Sequence, residues 1–277
     1  MSYIQLNIFP LNVEQKEIIV AELSMLEYES FLESDEGIEA YIPEELFDET
    51  KIQEVQKDYQ NSFEFQYHFE KMPEQNWNAT WEADYAPVEI SEECRIIAYF
   101  HQPQNLPYEI LITPKMSFGT GHHDTTVLMA QFLLALPRPF PEKIIDAGTG
   151  TGILAILAEK LGANAIFGFD IEDWSVTNAQ ENVALNHCNK TIIKKGTIAD
   201  FEDVKEIDVF IANIQRNILY EEMPIYAQKI KQNGLLLLSG FYEKDKDYLV
   251  ERAKELGLIY QKHQIQNDWC GLILKKI

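Results

Sequence analysis

A glycine-rich loop, followed 22 positions after its first glycine by an acidic residue, carries the clearest chemistry in this sequence. Gly148, Gly150 and Gly152 follow an apolar stretch and run directly into a helical pattern, and Asp170 ends the next apolar stretch. Glycines at a strand end let the backbone turn tightly and approach a ligand without a side chain in the way. A carboxylate at that distance can accept hydrogen bonds from both ribose hydroxyls of a nucleoside. The spacing therefore predicts a nucleoside-binding unit.

Two kinds of cofactor compete for this loop. A dinucleotide site prefers the spacing GxGxxG, with its third glycine where helix and strand pack. This chain has GxGxG with Ile153 after it, and Asp146 stands two residues before the first glycine. A carboxylate suits a ligand with positive charge, such as the ammonium and sulfonium of S-adenosylmethionine, better than a pyrophosphate. The pattern favours the methyl donor over NAD, and the sequence has no GxxxxGK[ST] run typical of a P-loop.

A second polar group, His122 to Thr126, precedes another helical pattern. A metal site is one interpretation, although adjacent histidine side chains point in different directions and HExxH spacing is missing. A helix start is another, because these residues supply N-capping oxygens. Hydroxyl groups at a helix N-terminus can also hold a carboxylate, and the methionyl part of the methyl donor has one.

Asn213 follows a further apolar stretch of the chain, residues 207–212. Ligands of open α/β sheets lie beyond the carboxyl ends of the strands, so Asn213 is a candidate for the same site. An asparagine in this position can also be a plain turn residue.

Composition limits the partners. The 277 residues include 45 acidic and 23 basic side chains, and the net charge of −22 argues against direct binding to nucleic acid phosphates. Residues 1–93 hold 23 of the acids and 4 lysines, so this part either keeps the protein soluble or steers a basic macromolecule. The N-terminus lacks a signal peptide pattern, and no apolar run approaches the roughly 20 residues of a membrane span. Three scattered cysteines indicate a reducing compartment, and we expect a cytoplasmic protein without membrane contact.

Two modules must position these residues. The first 70 residues follow the order βαββαβ, which is typical of a ferredoxin-like fold. The helices are predicted to begin after the N-cap Asn12 and at Pro43. Strands are predicted at 3–9, 30–33, 38–42 and 63–69. The last of these alternates four aromatic residues, which we expect in the core rather than as a platform for bases.

The second module repeats strand–helix units from Lys143 onward, which predicts right-handed crossovers and a parallel sheet. Residues 71–92, with Trp77 and Trp81, are predicted to be a linker that packs against something. The predicted strands are a pair at 94–100 and 108–113, five strands at 143–147, 165–169, 190–195, 207–212 and 234–239, and a closing hairpin at 257–265 and 269–274.

The chain resembles the PrmA family, which methylates large-subunit ribosomal protein number eleven. The resemblance extends from Trp77 to the C-terminus through the motifs FGTGHHDTT, DAGTGTGILAI, GFDIED, IANI, LLSG and Asp268-Trp269-Cys270. The joined FGTGxHxTT and DxGxGxG motifs are far more specific than a lone glycine loop. Asp124 stands where the family often has proline, and GTGTG stands where many members have GCGSG.

This resemblance implies a class I S-adenosylmethionine-dependent methyltransferase, with a Rossmann-like α/β fold, a mostly parallel seven-stranded sheet and a small N-terminal ferredoxin-like α+β domain. The implied domains are a substrate-recognition domain at 1–70, the linker at 71–92 and a catalytic domain at 93–277. No metal-binding residues are predicted. The predicted catalytic residue is Asn213. The predicted cofactor-binding residues are Phe118, Thr126, Asp146, Gly148, Gly150, Asp170 and Asn213.

The implied reaction is methylation of lysine side chains and the N-terminal amine of a basic ribosomal protein. The amine must first lose its proton, and burial beside the sulfonium would assist that loss to solvent. We expect alignment to supply most of the acceleration, with Asn213 accepting a hydrogen bond from the amine and aiming its lone pair. The alternatives are a methyltransferase of the same fold acting on another protein or a small molecule, an NAD reductase, and a non-catalytic binding module.

Overall fold

The computed structural model describes residues 2–72, 85–114 and 119–277, and the chain divides into two compact units, Met1–Asp84 and Tyr85–Ile277. Trp77, Trp81 and Phe118 lie outside the described residues. The domain boundaries predicted at 70 and 93 stay a prediction, although residues 88–91 of the predicted linker form a strand. Within the described part of the chain, no helix is long and apolar enough to cross a membrane.

The described residues of the first unit form a four-stranded antiparallel sheet with two α-helices. Its strand order is β2–β3–β1–β4, which with the order βαββαβ along the chain is the predicted ferredoxin-like arrangement. The elements are β1 (Tyr3–Phe9), α1 (Val13–Met25), β2 (Ser30–Glu33), β3 (Ile38–Pro43), α2 (Glu49–Tyr59) and β4 (Gln66–Lys71).

Alternation and capping explain the first elements of this unit. Leu6 and Ile8 of β1 are fully buried and pack in one cluster with Ile19 and Leu23 of α1. Asn12 caps α1 as predicted: its Oδ1 accepts from the backbone N–H of the third helical residue at 3.0 Å. The helix therefore starts where its first free N–H groups find a side-chain acceptor.

Two predictions for this unit are corrected. Pro43 ends β3 opposite Tyr3 and precedes only a single 3-10 turn, Glu44–Leu46, whereas the α-helix α2 begins at Glu49. The carboxylate of Asp48 provides the cap there, since its Oδ1 accepts from Thr50 N–H at 3.0 Å. The last strand begins at Gln66, so two of the four aromatic residues precede it. All four nevertheless belong to or pack against the core, as predicted: Phe63, Phe65, Tyr67 and Phe69.

The second unit is built on a seven-stranded sheet with the order β10–β9–β8–β11–β12–β14–β13. The first five of these strands are parallel, and β14 is antiparallel to both of its neighbours, β12 and β13. The parallel sheet and its closing hairpin agree with the sequence prediction. The strands are β8 (Lys143–Ala147), β9 (Ala165–Asp170), β10 (Thr191–Lys195), β11 (Ile207–Asn213), β12 (Ile230–Tyr242), β13 (Leu258–Gln266) and β14 (Trp269–Lys276).

Five α-helices and a small sheet also belong to the described residues of this unit. The small sheet has the order β5–β6–β7, with β6 and β7 parallel, and its strands are β5 (Val88–Ser91), β6 (Cys94–Ala98) and β7 (Tyr108–Ile112). The helices are α3 (Asp124–Leu134), α4 (Ile153–Leu161), α5 (Asp173–Leu185), α6 (Arg216–Lys229) and α7 (Lys246–Glu255).

Both faces of the large sheet are covered, which explains its near-continuous apolar strands. Ile144 and Ile211 belong to one core cluster, while their neighbours Ile145 and Phe210 belong to another on the opposite face. Polar side chains consequently emerge where the strands end. The parallel strands β8, β9 and β11 all end at the same edge, and this edge carries the glycine loop, Asp170 and Asn213.

Candidate active site

The glycine loop turns sharply between β8 and α4. Gly148, Gly150 and Gly152 have φ angles of +65°, +54° and +83°, a region that side chains other than glycine rarely adopt. At Gly148 a Cβ atom would also lie 2.3 Å from Cγ2 of Ile214, the residue after β11. The loop therefore needs glycine here both for its backbone angle and for its close approach to the neighbouring strand end.

Asp146 lies beneath this loop and does not line the cavity described below. It is 1% exposed, and its Oδ2 accepts a hydrogen bond of 2.6 Å from Oγ1 of Thr149. Burial raises the pKa of Asp146 to about 7, although the Thr149 hydroxyl and the Ala155 backbone N–H favour the charged form. We expected this carboxylate to face the positive charge of the cofactor. In the structure it instead accepts a hydrogen bond from Thr149 within the loop.

Asp170 connects the loop to the end of β9. Its Oδ2 accepts from the backbone N–H of Gly150 at 3.0 Å, and its Oδ1 accepts from that of Glu172 at 3.1 Å. Each carboxylate oxygen can accept a second hydrogen bond, so both retain acceptor capacity for hydroxyl groups. The two backbone bonds thus fix the carboxylate at the cavity wall in one orientation.

Two buried oxygens in this region lack hydrogen-bond partners in the described structure: Oδ1 of Asn213 and Oγ1 of Thr126. Buried polar atoms are normally paired, because an unpaired one loses its hydration without compensation. An unpaired oxygen at the end of a parallel strand is consistent with a ligand that supplies the missing hydrogen.

Helix α3 begins at Asp124, as the sequence predicts, but its cap is a ring nitrogen rather than an oxygen. The backbone N–H of Thr125 donates to Nδ1 of His123 at 3.3 Å, and Oγ1 of Thr125 lies 2.8 Å from the same nitrogen. His123 and Thr125 line the cavity, whereas the predicted Thr126 is 2% exposed and does not. The His122–Thr126 segment thus contributes its capping residues to the site.

A cavity of about 630 Å³ opens at this edge of the sheet. Four of the predicted site residues line it, namely Gly148, Gly150, Asp170 and Asn213, and Asp146 and Thr126 do not. Sequence reasoning did not assign Glu221, Glu222 or Trp269 to the site, although they also line the cavity. The closing Asp-Trp-Cys motif could have pointed to Trp269. The spacing of the two glutamates from Ile218, which places all three on one side of α6, could have pointed to Glu221 and Glu222.

The residues present fit S-adenosylmethionine. Four carboxylates line the cavity, and none of its described lining residues is lysine or arginine. This environment suits the ammonium and sulfonium groups of the methyl donor and opposes a pyrophosphate. The carboxylates are Asp170, Glu172, Glu221 and Glu222. The sheet order, the glycine loop and the carboxylate at the end of β9 together define a class I S-adenosylmethionine-dependent methyltransferase.

Comparison with known proteins identifies the family. The family model described as ribosomal protein L11 methyltransferase (PrmA) matches residues 7–277, and the chain belongs to this family. A relative named ribosomal protein L11 methyltransferase from Phocaeicola vulgatus is 36% identical over 95% of this chain and 94% of its own length. One of the same name from Porphyromonas gingivalis is 38% identical over 92% and 89%.

A solved structure supports the same assignment. The crystal structure of a ribosomal protein L11 methylase from Lactobacillus delbrueckii subsp. bulgaricus matches with a TM-score of 0.63 and 29% identity. The match covers 70% of this chain and 100% of that one. The resemblance inferred from the sequence motifs, the methyltransferase fold and the S-adenosylmethionine cofactor are therefore confirmed.

Proposed function

We propose that this protein transfers methyl groups from S-adenosylmethionine to amines of ribosomal protein L11, on lysine side chains and at the N-terminus. The observation that carries the proposal is the unpaired Oδ1 of Asn213, a buried acceptor in the cavity that Asp170 also lines. β9 and β11 are separated by β8 alone, so the two residues lie about 10 Å apart across the sheet. That span leaves room for the ribose, the sulfonium and an incoming amine between the two side chains.

The residues that would hold the cofactor come from three strand ends and one helix. Asp170 would bind the ribose hydroxyls, and the backbone of Gly148 and Gly150 would approach the methionyl part. Thr126 stays a candidate because its Oγ1 lacks a partner. Phe118, predicted for the cavity wall, lies outside the described residues. When bound, the cofactor supplies an electrophilic methyl group on a positively charged sulfur.

Asn213 is the proposed catalytic residue. Its side chain lies at the end of β11, where the backbone is fixed by pairing with β12 at Ser239. Oδ1 can accept one N–H of a neutral amine, which leaves the nitrogen lone pair free to point away from the asparagine. The proton of the incoming ammonium is lost to solvent, and the alignment of the lone pair lowers the barrier.

The partner and its location follow from the same proposal. Residues 1–93 carry 23 acidic and 4 basic side chains, and this field would attract a basic ribosomal protein. We assign substrate recognition to the domain at residues 1–70 within this part of the chain. An enzyme that modifies a ribosomal protein would work in the cytoplasm, where its substrate is made.

The test is labelling of purified large-subunit ribosomal proteins with isotopic S-adenosylmethionine, followed by mass mapping of the labelled amines. The expected result is label on lysine and N-terminal amines of L11. Label confined to another ribosomal protein, or to a small molecule of the cell extract, would contradict the proposed substrate while leaving the methyltransferase class intact.

A further inference from the structure

The cavity extends past the strand ends that we propose for the methyl donor. The donor residues lie over β8, β9 and β11, and two further strands, β12 and β14, follow β11 in the sheet. On that side the cavity is lined by Gly240 of β12 and Trp269 of β14, and by one face of α6. The acceptor must approach from this side, because the methyl group has to lie between donor and acceptor.

One face of α6 brings two carboxylates into this part of the cavity. Ile218, Glu221 and Glu222 line the cavity, and their spacing of three and four residues places them on one side of the helix. Glu221 is exposed and Glu222 half-buried. Glu222 uses Oε2 to accept from the Tyr226 hydroxyl at 2.5 Å, an arrangement that orients its carboxylate.

An indole ring faces the same space. Trp269 stacks on Tyr242 with ring centroids 4.4 Å apart, and the ring of His123 packs against it at 4.7 Å. These two contacts hold the indole in place at the cavity wall. Indole is the aromatic group that attracts a cation most strongly, and carboxylates attract the same ligand through their charge.

We propose that Glu221, Glu222 and Trp269 form the acceptor subsite and select a cationic alkylamine over a neutral amide. This inference rests on the proposed amine methylation and names the groups that give it specificity. The proposal does not rest on the acidic residues alone. The unpaired Oδ1 of Asn213 lies in the same cavity and can accept a hydrogen bond from a bound N–H group. An amine that enters as ammonium along the carboxylates still has an N–H group after it has lost one proton. That N–H group can donate a hydrogen bond to Asn213.

The carboxylates must act at the entrance rather than at the point of transfer. A carboxylate next to an ammonium raises the pKa of the amine, which opposes the deprotonation that methyl transfer requires. The exposed position of Glu221 agrees with a capturing role. The amine then moves toward Asn213, where the positive sulfonium favours its neutral form.

The first experiment measures binding directly. Enzyme saturated with S-adenosylhomocysteine, which cannot donate a methyl group, is mixed with Nα-acetyl-lysine methylamide or with the neutral Nα-acetyl-glutamine methylamide, and binding is followed by saturation-transfer NMR. We expect the lysine compound to bind at least ~fivefold more tightly. The double variant Glu221→Gln/Glu222→Gln should weaken its binding about tenfold, and Trp269→Leu should weaken it severalfold.

Matched controls change the same residue types outside the cavity. Glu251→Gln removes an exposed carboxylate from α7, and Trp174→Leu removes an indole that is 59% exposed on α5. Both should bind the lysine compound as the wild type does. Equal binding of the two compounds to the wild type, or unchanged lysine binding in the double variant, would overturn the assignment.

The second experiment separates this inference from the proposed substrate. With L11 as acceptor, the double variant should raise KM for L11 about tenfold and change the Kd of S-adenosylmethionine by less than about twofold. A wild type that selects the lysine compound but leaves L11 unlabelled would contradict L11 as substrate and still support the subsite. Labelling of L11 with an unchanged KM in the double variant would refute the subsite and preserve the substrate.

Discussion

The carboxylate of Asp170, at the end of β9, accepts a 3.0 Å hydrogen bond from the backbone N–H of Gly150 in the loop after β8. This bond joins the two sequence features that predicted a nucleoside site, an acidic residue and a glycine loop that begins 22 positions before it. Because the glycine loop and the strand end are connected in this way, a ligand that contacts Asp170 also meets the backbone of the loop.

Replacing Asp170 should weaken binding of the donor. Asp170→Asn keeps the size of the side chain but removes the charge and one acceptor oxygen, so we expect the Kd of S-adenosylmethionine to rise roughly tenfold to a hundredfold. Isothermal titration calorimetry measures this, with Asp173→Asn as control, since Asp173 is an exposed neighbour paired with Lys195. An unchanged Kd in Asp170→Asn would remove the proposed ribose contact.

Asn213→Ala should act mainly on the chemical step. Loss of the amide oxygen leaves the acceptor amine without an aligning partner, and we expect single-turnover methylation of L11 to slow on the order of a hundredfold. Asn189→Ala, at an exposed position outside the cavity, is the matched control and should react like the wild type. Methylation by Asn213→Ala at the wild-type rate would show that this side chain has no catalytic role.

The contact between Gly148 and Ile214 can be tested by a double-mutant cycle. Gly148→Ala places a Cβ 2.3 Å from Cγ2 of Ile214 and imposes a φ of +65° on alanine. We expect it to lower the free energy of unfolding by about 2 kcal/mol or more. In the Ile214→Ala background the same change should cost less, because the clashing methyl group is gone. Urea unfolding of the four proteins gives the coupling; equal costs in both backgrounds would contradict it.

Asp146 should make the folded protein less stable as the pH rises, which is the reverse of the effect of an aspartate whose pKa is lowered by folding. Burial raises its pKa from 3.8 to about 7, so between these values the folded chain holds a proton that the unfolded chain has released. The contribution of Asp146 to stability is therefore greatest below pH 3.8 and is lost as the pH rises toward 7.

The measurement is the free energy of unfolding of the ligand-free protein in urea from pH 4 to pH 8. Relative to the wild type, Asp146→Asn should remove a decline of up to about 1.4 kcal/mol per pH unit. Asp203→Asn, an exposed aspartate, should leave the wild-type profile intact. Parallel profiles for the wild type and Asp146→Asn would mean that Asp146 titrates at the same pH in the folded and unfolded chain.

The sequence by itself determined most of the elements and four of the residues that line the cavity, Gly148, Gly150, Asp170 and Asn213. Alternating apolar residues located β1, continuous apolar stretches located the parallel strands of the large sheet, and the spacing from Gly148 to Asp170 predicted a nucleoside-binding unit. These features are local: a strand pattern, a turn that needs glycine and a side chain at a strand end all lie within short stretches of chain. Asn12 belongs to the same class, since a cap involves neighbouring residues only.

Tertiary structure alone decided what faces the cavity. The sequence could not tell that Asp146 turns beneath the loop to Thr149 while Asp170 reaches the wall, because both are acids beside the same glycines. Nor could it bring Trp269 and Glu222 together, since they are 47 positions apart in the chain and β12, α7 and β13 lie between them. Such contacts depend on strand order and on the face that each helix presents, and both are fixed by packing of the whole sheet rather than by any local pattern.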